Sequence, residues 1–290
     1  MEDNLFDKLI GNDELKRYFE NSIKTNNISH SYMFTGATGV GKKQFAIEFA
    51  KYNLCLEDGN CEDKCDSCIK FNGNNNPDFS IIKPDGNTIK INQIREMQED
   101  IAKKPIVSNK KVYIIDDADK MSEESQNCLL KTLEEPPEYA IIILIVANES
   151  RMLATIKSRC VILKFKKISN EEIKKIVPNL TEEQIEILDG SLEKLENIQE
   201  KTEQFQQIEN IVQKIKTGSL VDVLNSADVL YNSKENINEL LDFLNILFFK
   251  NGMYEIVEIV EETKNKFRYN NNYEMCIDNL LIKSFKKYNK

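Results

Sequence analysis

Gly36, Gly39, Gly41 and Lys42 form a set that could hold a polyphosphate, in the stretch Tyr32-Met-Phe-Thr-Gly36-Ala-Thr-Gly-Val-Gly41-Lys42-Lys43. The glycines allow positive φ, so the backbone can turn its N–H groups inward, and Lys42 adds a point charge for β- and γ-phosphates at a helix N-terminus. The spacing follows G-x-x-x-x-G-K-[ST] up to its last position, where Lys43 replaces the hydroxyl that would ligate Mg²⁺. An ammonium has three donors and no acceptor, so it cannot ligate a cation. The loop keeps the form of a nucleotide site and loses one metal ligand.

A second set of acids and an arginine suits the same chemistry. Lys111-Val-Tyr-Ile-Ile115 is an apolar strand ending in Asp116-Asp117, the Walker B arrangement. Asp116 would hold Mg²⁺, and Asp117 would polarise the attacking water with a shorter reach than glutamate. Asp119 reads as a surface or capping residue. The polar end of the apolar strand Ala140 to Asn148 could sense a γ-phosphate, with the sensing residue left open. In Ser158-Arg159-Cys160, Arg159 offers a planar fork at a helix end, suited to phosphate, or alternatively to a surface carboxylate. The single histidine, His30, has no nucleophile beside it and reads as a packing or hydrogen-bonding residue.

Four of the seven cysteines, Cys55, Cys61, Cys65 and Cys68, lie in one polar, Gly-containing loop. Their spacing lets four thiolates converge on Zn²⁺, and with no ligand position left open the site would be structural. An iron–sulfur cluster or four free thiols are the alternatives. In a reducing compartment such a group favours metal over disulfides.

Elements must position these groups. Leu15, Phe19 and Ile23 have the spacing of one helical face, with Asn12 as a candidate cap. Strands are expected at 32–35, 78–82, 111–115 and 140–147. Helices are expected after Lys42, from about Ile89 to Met97, and from Ser125 to the stop at Pro136-Pro137. Ser169-Asn-Glu-Glu172 and Thr181-Glu-Glu-Gln184 read as capping boxes of short helices. Beyond about Glu200 the spacing is helical: Phe205, Ile208, Val212, Ile215; then Val221, Leu224, Ala227, Val229; then Leu240, Phe243, Leu244, Leu247. The pattern predicts an α/β domain at 1–166 with the cysteine module at about 55–68, a small helical unit at 167–200 and a helical domain at 201–290. The chain has 290 residues, 41% apolar and 30% charged, ordinary values for a globular protein of two or three domains. No run is long and apolar enough for a membrane span, and the acidic start Met1-Glu-Asp-Asn predicts no signal peptide, so the cytoplasm is the expected location. A net charge of −9 argues against tight, independent, non-specific DNA binding. A role on DNA would be shared with more basic partners.

Taken together, Gly36 to Lys42, Cys55 to Cys68, Ile115-Asp-Asp-Ala-Asp-Lys-Met121, Leu129-Leu-Lys-Thr-Leu-Glu-Glu-Pro-Pro137 and Ser158-Arg-Cys160 resemble bacterial DNA polymerase III clamp-loader subunits of the AAA+ class, over about residues 5 to 195. The resemblance implies a P-loop AAA+ sheet domain with an inserted zinc module, a helical lid and a C-terminal collar through which subunits form a ring. It implies gamma/tau ATPase subunits, a delta subunit, the sliding clamp and primed DNA as partners. In that family the Ser-Arg-Cys arginine reaches across an interface to a neighbour's ATP, here Arg159 in trans. The lid arginine of the family is matched by Glu193 in Gly190-Ser-Leu-Glu193. Lys43, Asp117 and Glu193 thus depart where the chain's own nucleotide is served, and Arg159 remains. The pattern resembles a structural, non-hydrolysing member. An ATP-hydrolysing motor subunit of the same machine, or another AAA+ ATPase, is the second reading. A nucleoside kinase would explain neither the cysteines nor Arg159.

Overall fold

The computed structural model describes residues 6, 9–59, 61–177, 180–192, 194–195, 202–267 and 272–289. The chain divides into two compact units, Met1–Ser169 and Asn170–Lys290.

The first unit is built on five parallel strands: β1 (Ser31–Thr35), β2 (Phe79–Ile82), β3 (Lys111–Ile115), β4 (Ala140–Val146) and β5 (Val161–Lys164). Their order across the sheet is β2-β3-β4-β1-β5. Helices join the strands: α1 (Asp13–Lys24) before β1, α2 (Lys42–Leu54) after it, then α3 (Asp66–Asn72), α4 (Ile91–Ile101), α5 (Glu123–Glu134) and the short α6 (Ala154–Lys157). This is a five-stranded parallel-sheet architecture of the kind the resemblance implies, with the cysteine module inserted between α2 and β2.

The continuous apolar runs have a direct cause. Successive strand side chains alternate faces, and here both faces are covered. Tyr32 and Phe34 of β1, Val112 and Ile114 of β3, and Ile141, Ile143 and Ile145 of β4 enter one core. Met33, Tyr113, Ile115, Ile142, Leu144 and Val146 enter the other, against α4 and α5. Phe19 of α1 joins the first core, its ring 4.7 Å from Phe49 of α2 and 5.6 Å from Phe34.

Some expectations are corrected. Asn12 precedes α1 but sits at φ 54° and makes no side-chain cap. Instead its Oδ1 accepts from the Lys166 N–H at 2.8 Å and its Nδ2 donates to the Lys166 carbonyl at 3.3 Å, tying the chain start to the end of β5. The α5 helix begins before Ser125, because the Ser122 hydroxyl caps it by accepting from the Ser125 N–H at 3.2 Å. Asp119 is buried, not at the surface.

The second unit is helical: α7 (Asn170–Ile176), α8 (Glu182–Leu188), α9 (Thr202–Thr217), α10 (Leu220–Asn225), α11 (Asp228–Asn232), α12 (Ile237–Lys250), α13 (Tyr254–Phe267) and α14 (Tyr273–Tyr288). Its core includes Phe205, Ile208, Ile215, Leu240, Phe243, Leu244, Val260, Ile277 and Leu281. The rings of Phe205 and Phe243 meet edge to face at 4.7 Å. Val221 faces outward, 64% exposed, because α10 is a short helix capped by Ser219 and Asp222 rather than part of a longer amphipathic one.

Candidate nucleotide site and metal centre

Parallel α/β sheets bind ligands beyond the carboxyl ends of their strands, and the strand register puts three candidate segments there. Thr35 pairs with Val146 across β1 and β4, and Ile115 pairs with Leu144 across β3 and β4. The loop after Thr35, the acids after Ile115 and Asn148 therefore share one edge.

The loop has the conformation its glycines permit. Gly36, Gly39 and Gly41 take φ of 149°, 80° and 88°. A Cβ on Gly36 would lie 2.6 Å from the Phe165 carbonyl oxygen, so only glycine fits that approach. Gly41 precedes the first turn of α2, whose N-terminal N–H groups and partial positive charge suit an anion. The buried Lys42 side chain folds onto the loop, its Nζ donating to the Gly36 carbonyl at 2.6 Å and the Ala37 carbonyl at 2.5 Å. Burial lowers the pKa of this ammonium below the ordinary lysine value, while Asp119, Asp117 and Asp116 pull it upward.

The neighbouring acids are all engaged. Lys43 Nζ lies 2.7 Å from Asp116 Oδ2. Asp117, at φ 53°, turns its carboxylate to Lys120 at 2.8 Å, and that hydrogen bond raises the Lys120 pKa. Asp119 Oδ1 accepts from the Ala147 N–H at 3.1 Å, which ties the acid turn to the end of β4. Asn148 Oδ1 accepts from the Ser150 N–H at 3.1 Å and from its hydroxyl at 2.6 Å, so this amide caps the turn after β4. The sequence reading missed both the Lys120 pairing and the Asp119 tie. The i,i+3 spacing of Asp117 and Lys120 was a usable signal for the first.

Arg159 stands elsewhere. Tyr32 pairs with Val161 in the parallel β1–β5 ladder, so Arg159, two residues before Val161, lies at the amino edge of the sheet. At about 3.3 Å per residue, the offset from Gly36 along the sheet is on the order of 20 Å, beyond the reach of one side chain. Its NH2 donates to Glu134 Oε1 at 2.6 Å and its NH1 to the Thr155 carbonyl at 2.9 Å. His30 Nδ1 is 3.2 Å from the Ala140 carbonyl, a hydrogen-bonding role at the same edge.

The cysteine module brings its four sulfurs together. All four Sγ atoms lie within 4.8 Å of one another, with Cys55 to Cys61 at 3.3 Å, Cys61 to Cys68 at 3.4 Å and Cys55 to Cys65 at 4.0 Å. A tetrahedral ion with metal–sulfur bonds of about 2.3 Å needs sulfur–sulfur separations of about 3.8 Å. The cluster therefore fits a four-thiolate metal. Burial raises the Cys61 thiol, but the Cys65 backbone N–H and the bonds from the neighbouring thiols outweigh it and bring its pKa to about 6. Burial pushes Cys55 and Cys68 up. One shared cation would stabilise every thiolate at once. The module is keyed to the sheet domain: Ser67 Oγ meets Ser108 Oγ at 2.7 Å, and Asn76 Nδ2 donates to the Ser67 carbonyl at 3.0 Å. Asp78 accepts the N–H groups of Ile106, Val107 and Ser108, each at 2.7 Å.

The family described as "DNA polymerase III, delta subunit" matches residues 11–169. The DNA polymerase III subunit delta' of Bacillus subtilis is 41% identical over 155 residues, 53% of this chain and 47% of that protein. The subunit gamma/tau of Mycoplasma pneumoniae is 34% identical over 234 residues, 80% of this chain and 32% of that protein. The chain thus spans less than half the length of these curated relatives. In fold it is similar to a DNA polymerase III gamma subunit-related protein of Thermotoga maritima, with TM-score 0.54 and 17% identity over 93% of this chain and 99% of that one.

Proposed function

The chain belongs to the DNA polymerase III delta subunit family, and from that premise we propose that it works as the delta-prime subunit of a bacterial clamp loader. It is a stator: it helps load the sliding clamp onto primed DNA, turns over little or no ATP itself, and supplies Arg159 to ATP on an adjacent gamma/tau subunit. The observation that carries this reading is the position of Arg159 at the amino edge of the sheet, the edge opposite its own phosphate loop. A guanidinium there has no reach to the chain's own phosphates and suits those of a neighbour.

The metal is zinc, held by Cys55, Cys61, Cys65 and Cys68, and its role is to fold the module. Residues 167–200 act as the lid and 201–290 as the collar that joins gamma/tau and delta subunits in a ring. Glu193, which replaces the lid arginine, lies outside the described residues. Among the described residues no helix is long and apolar enough to cross a membrane; work in the cytoplasm is part of the proposed reading.

The motor-subunit alternative predicts Mg²⁺-dependent turnover by the isolated chain. Lys43 and the short Asp117 argue against it, since both weaken the chain's own metal and water positions. In a phosphate-release assay the purified chain should show negligible hydrolysis, and Lys43→Thr alone should not restore it, because Asp117 and Glu193 still depart from the active pattern. Robust turnover by the wild-type chain would replace the stator reading with the motor one.

A further inference from the structure

The Lys43 ammonium lies 2.7 Å from Asp116 Oδ2, across the gap between the first turn of α2 and the end of β3. Mg²⁺ at that carboxylate would need near-octahedral oxygen ligands at about 2.0–2.1 Å, and phosphate-bound Mg²⁺ takes one or two carboxylates with the phosphates and water. Position 43 presents a cation in place of a ligand, and Asp116 is already committed to it. The remaining acids are held too, Asp117 by Lys120 and Asp119 by the Ala147 N–H. The residues present do not fit Mg²⁺. The phosphate cradle is nevertheless intact: the glycines keep their positive φ, and Lys42 is held against the loop carbonyls.

We infer that the phosphate loop takes a nucleoside triphosphate without a divalent cation, the Lys43 ammonium standing at Asp116 where the metal would stand. The Lys43 side chain is 39% exposed and that of Asp116 17%, so the ammonium can keep its carboxylate and still present donors to a phosphate oxygen. Lys42 and Lys43 together offset the phosphate charge, and Lys43 screens the ligand from the otherwise repulsive Asp116. A lysine supplies this charge as a point and not as a rigid fork, which suits a mobile phosphate tail. This inference concerns the chain's own loop and does not depend on what Arg159 does to a neighbour.

The test is calorimetric titration of the full-length chain with β,γ-imido-ATP, once in excess EDTA and once in excess Mg²⁺. Wild-type dissociation constants should agree within about threefold, while Lys43→Thr, which restores the hydroxyl and frees Asp116, should bind at least about tenfold more tightly with Mg²⁺, equivalent to ~1.4 kcal/mol. Asp116→Asn should keep binding metal-independent, because it leaves no carboxylate for a metal. Wild-type binding tightened about tenfold by Mg²⁺ would overturn the inference. So would no wild-type binding in either buffer, or a Lys43→Thr chain indifferent to Mg²⁺. The wild-type pair of titrations decides the matter even if a variant fails to fold. Mg²⁺-tightened binding without turnover would refute this inference alone, whereas Mg²⁺-dependent turnover would also remove the stator reading.

Discussion

In the free chain the Arg159 guanidinium rests on Glu134 and on the Thr155 carbonyl, contacts that an incoming phosphate would have to displace. With side chains 33% and 50% exposed, the Arg159–Glu134 pair is a surface ion pair, worth about 0–1 kcal/mol. It holds the side chain near one rotamer at little cost, and on the proposed reading it gives way to a neighbour's phosphate. Arg159→Ala should therefore leave folding and ring assembly intact while lowering the DNA- and clamp-stimulated ATPase of the reconstituted complex. A complete arginine finger is worth ~10³–10⁵-fold, and sharing of turnover among several motor subunits will make the observed loss smaller. Arg159→Lys should be nearly as damaging, since lysine keeps the charge but not the planar fork. A reconstituted Arg159→Ala complex with wild-type ATPase and clamp loading would return Arg159 to an ordinary surface pair. Residue types at these positions were legible from sequence, because spacing alone marks a glycine loop, an acid pair after an apolar strand and four clustered cysteines. Partnerships were not. That Lys43 meets Asp116, and Arg159 meets Glu134, depends on how α2 and β3, or α5 and α6, are brought together by the sheet.

At the scale of elements, the cysteine module is a loop with little apolar material of its own, and on the proposed reading its order depends on the metal that the four sulfurs hold. Ser67, Asn76, Asp78 and Ser108 then transmit that order to the sheet domain through buried hydrogen bonds. Purified without chelator, the chain should contain about one zinc, the stoichiometry of a single four-thiolate centre. Cys65→Ser should lose it and lower the unfolding midpoint of the first unit, each kcal/mol lost costing about 2–4 °C at this size. Elemental analysis and a thermal scan read the two effects, and iron or a metal-free wild-type chain with four titratable thiols would refute the assignment. Nucleotide binding should survive the substitution, because the sulfurs belong to a module inserted after α2 and not to the phosphate loop. Four of the five strands followed from composition, β4 most plainly, as seven apolar residues buried on both faces, which only a covered parallel sheet explains. The fifth, β5, was not expected, being four residues only partly buried and ending in the exposed Lys164. The helix boundaries were less legible. Ser122 caps α5 ahead of the apolar spacing, and Asn12 serves the end of β5 instead of α1, a long-range pairing that no local pattern encodes.

At the scale of the whole molecule, the chain divides into two compact units; on the proposed reading the first carries Arg159 and the metal and the second the ring contacts. The helical pattern beyond residue 200 gave the second unit its class but not its short helices, since α10 and α11 each hold too few residues to show a period. A lesion confined to the second core separates the two tasks. Phe243 is fully buried and its ring meets Phe205 edge to face at 4.7 Å, so Phe243→Ala removes a large side chain and an aromatic pair from that core. Phe→Ala substitutions in cores cost about 3–5 kcal/mol, a large share of a domain's stability. Zinc content should stay at the wild-type value, because every ligand lies in the first unit. Incorporation into the clamp-loader assembly, measured by size-exclusion chromatography with gamma/tau and delta subunits, should fall. If the destabilised second unit still entered the ring as well as the wild type, the collar role of residues 201–290 would be wrong, and the first unit would have to carry the subunit contacts as well as Arg159.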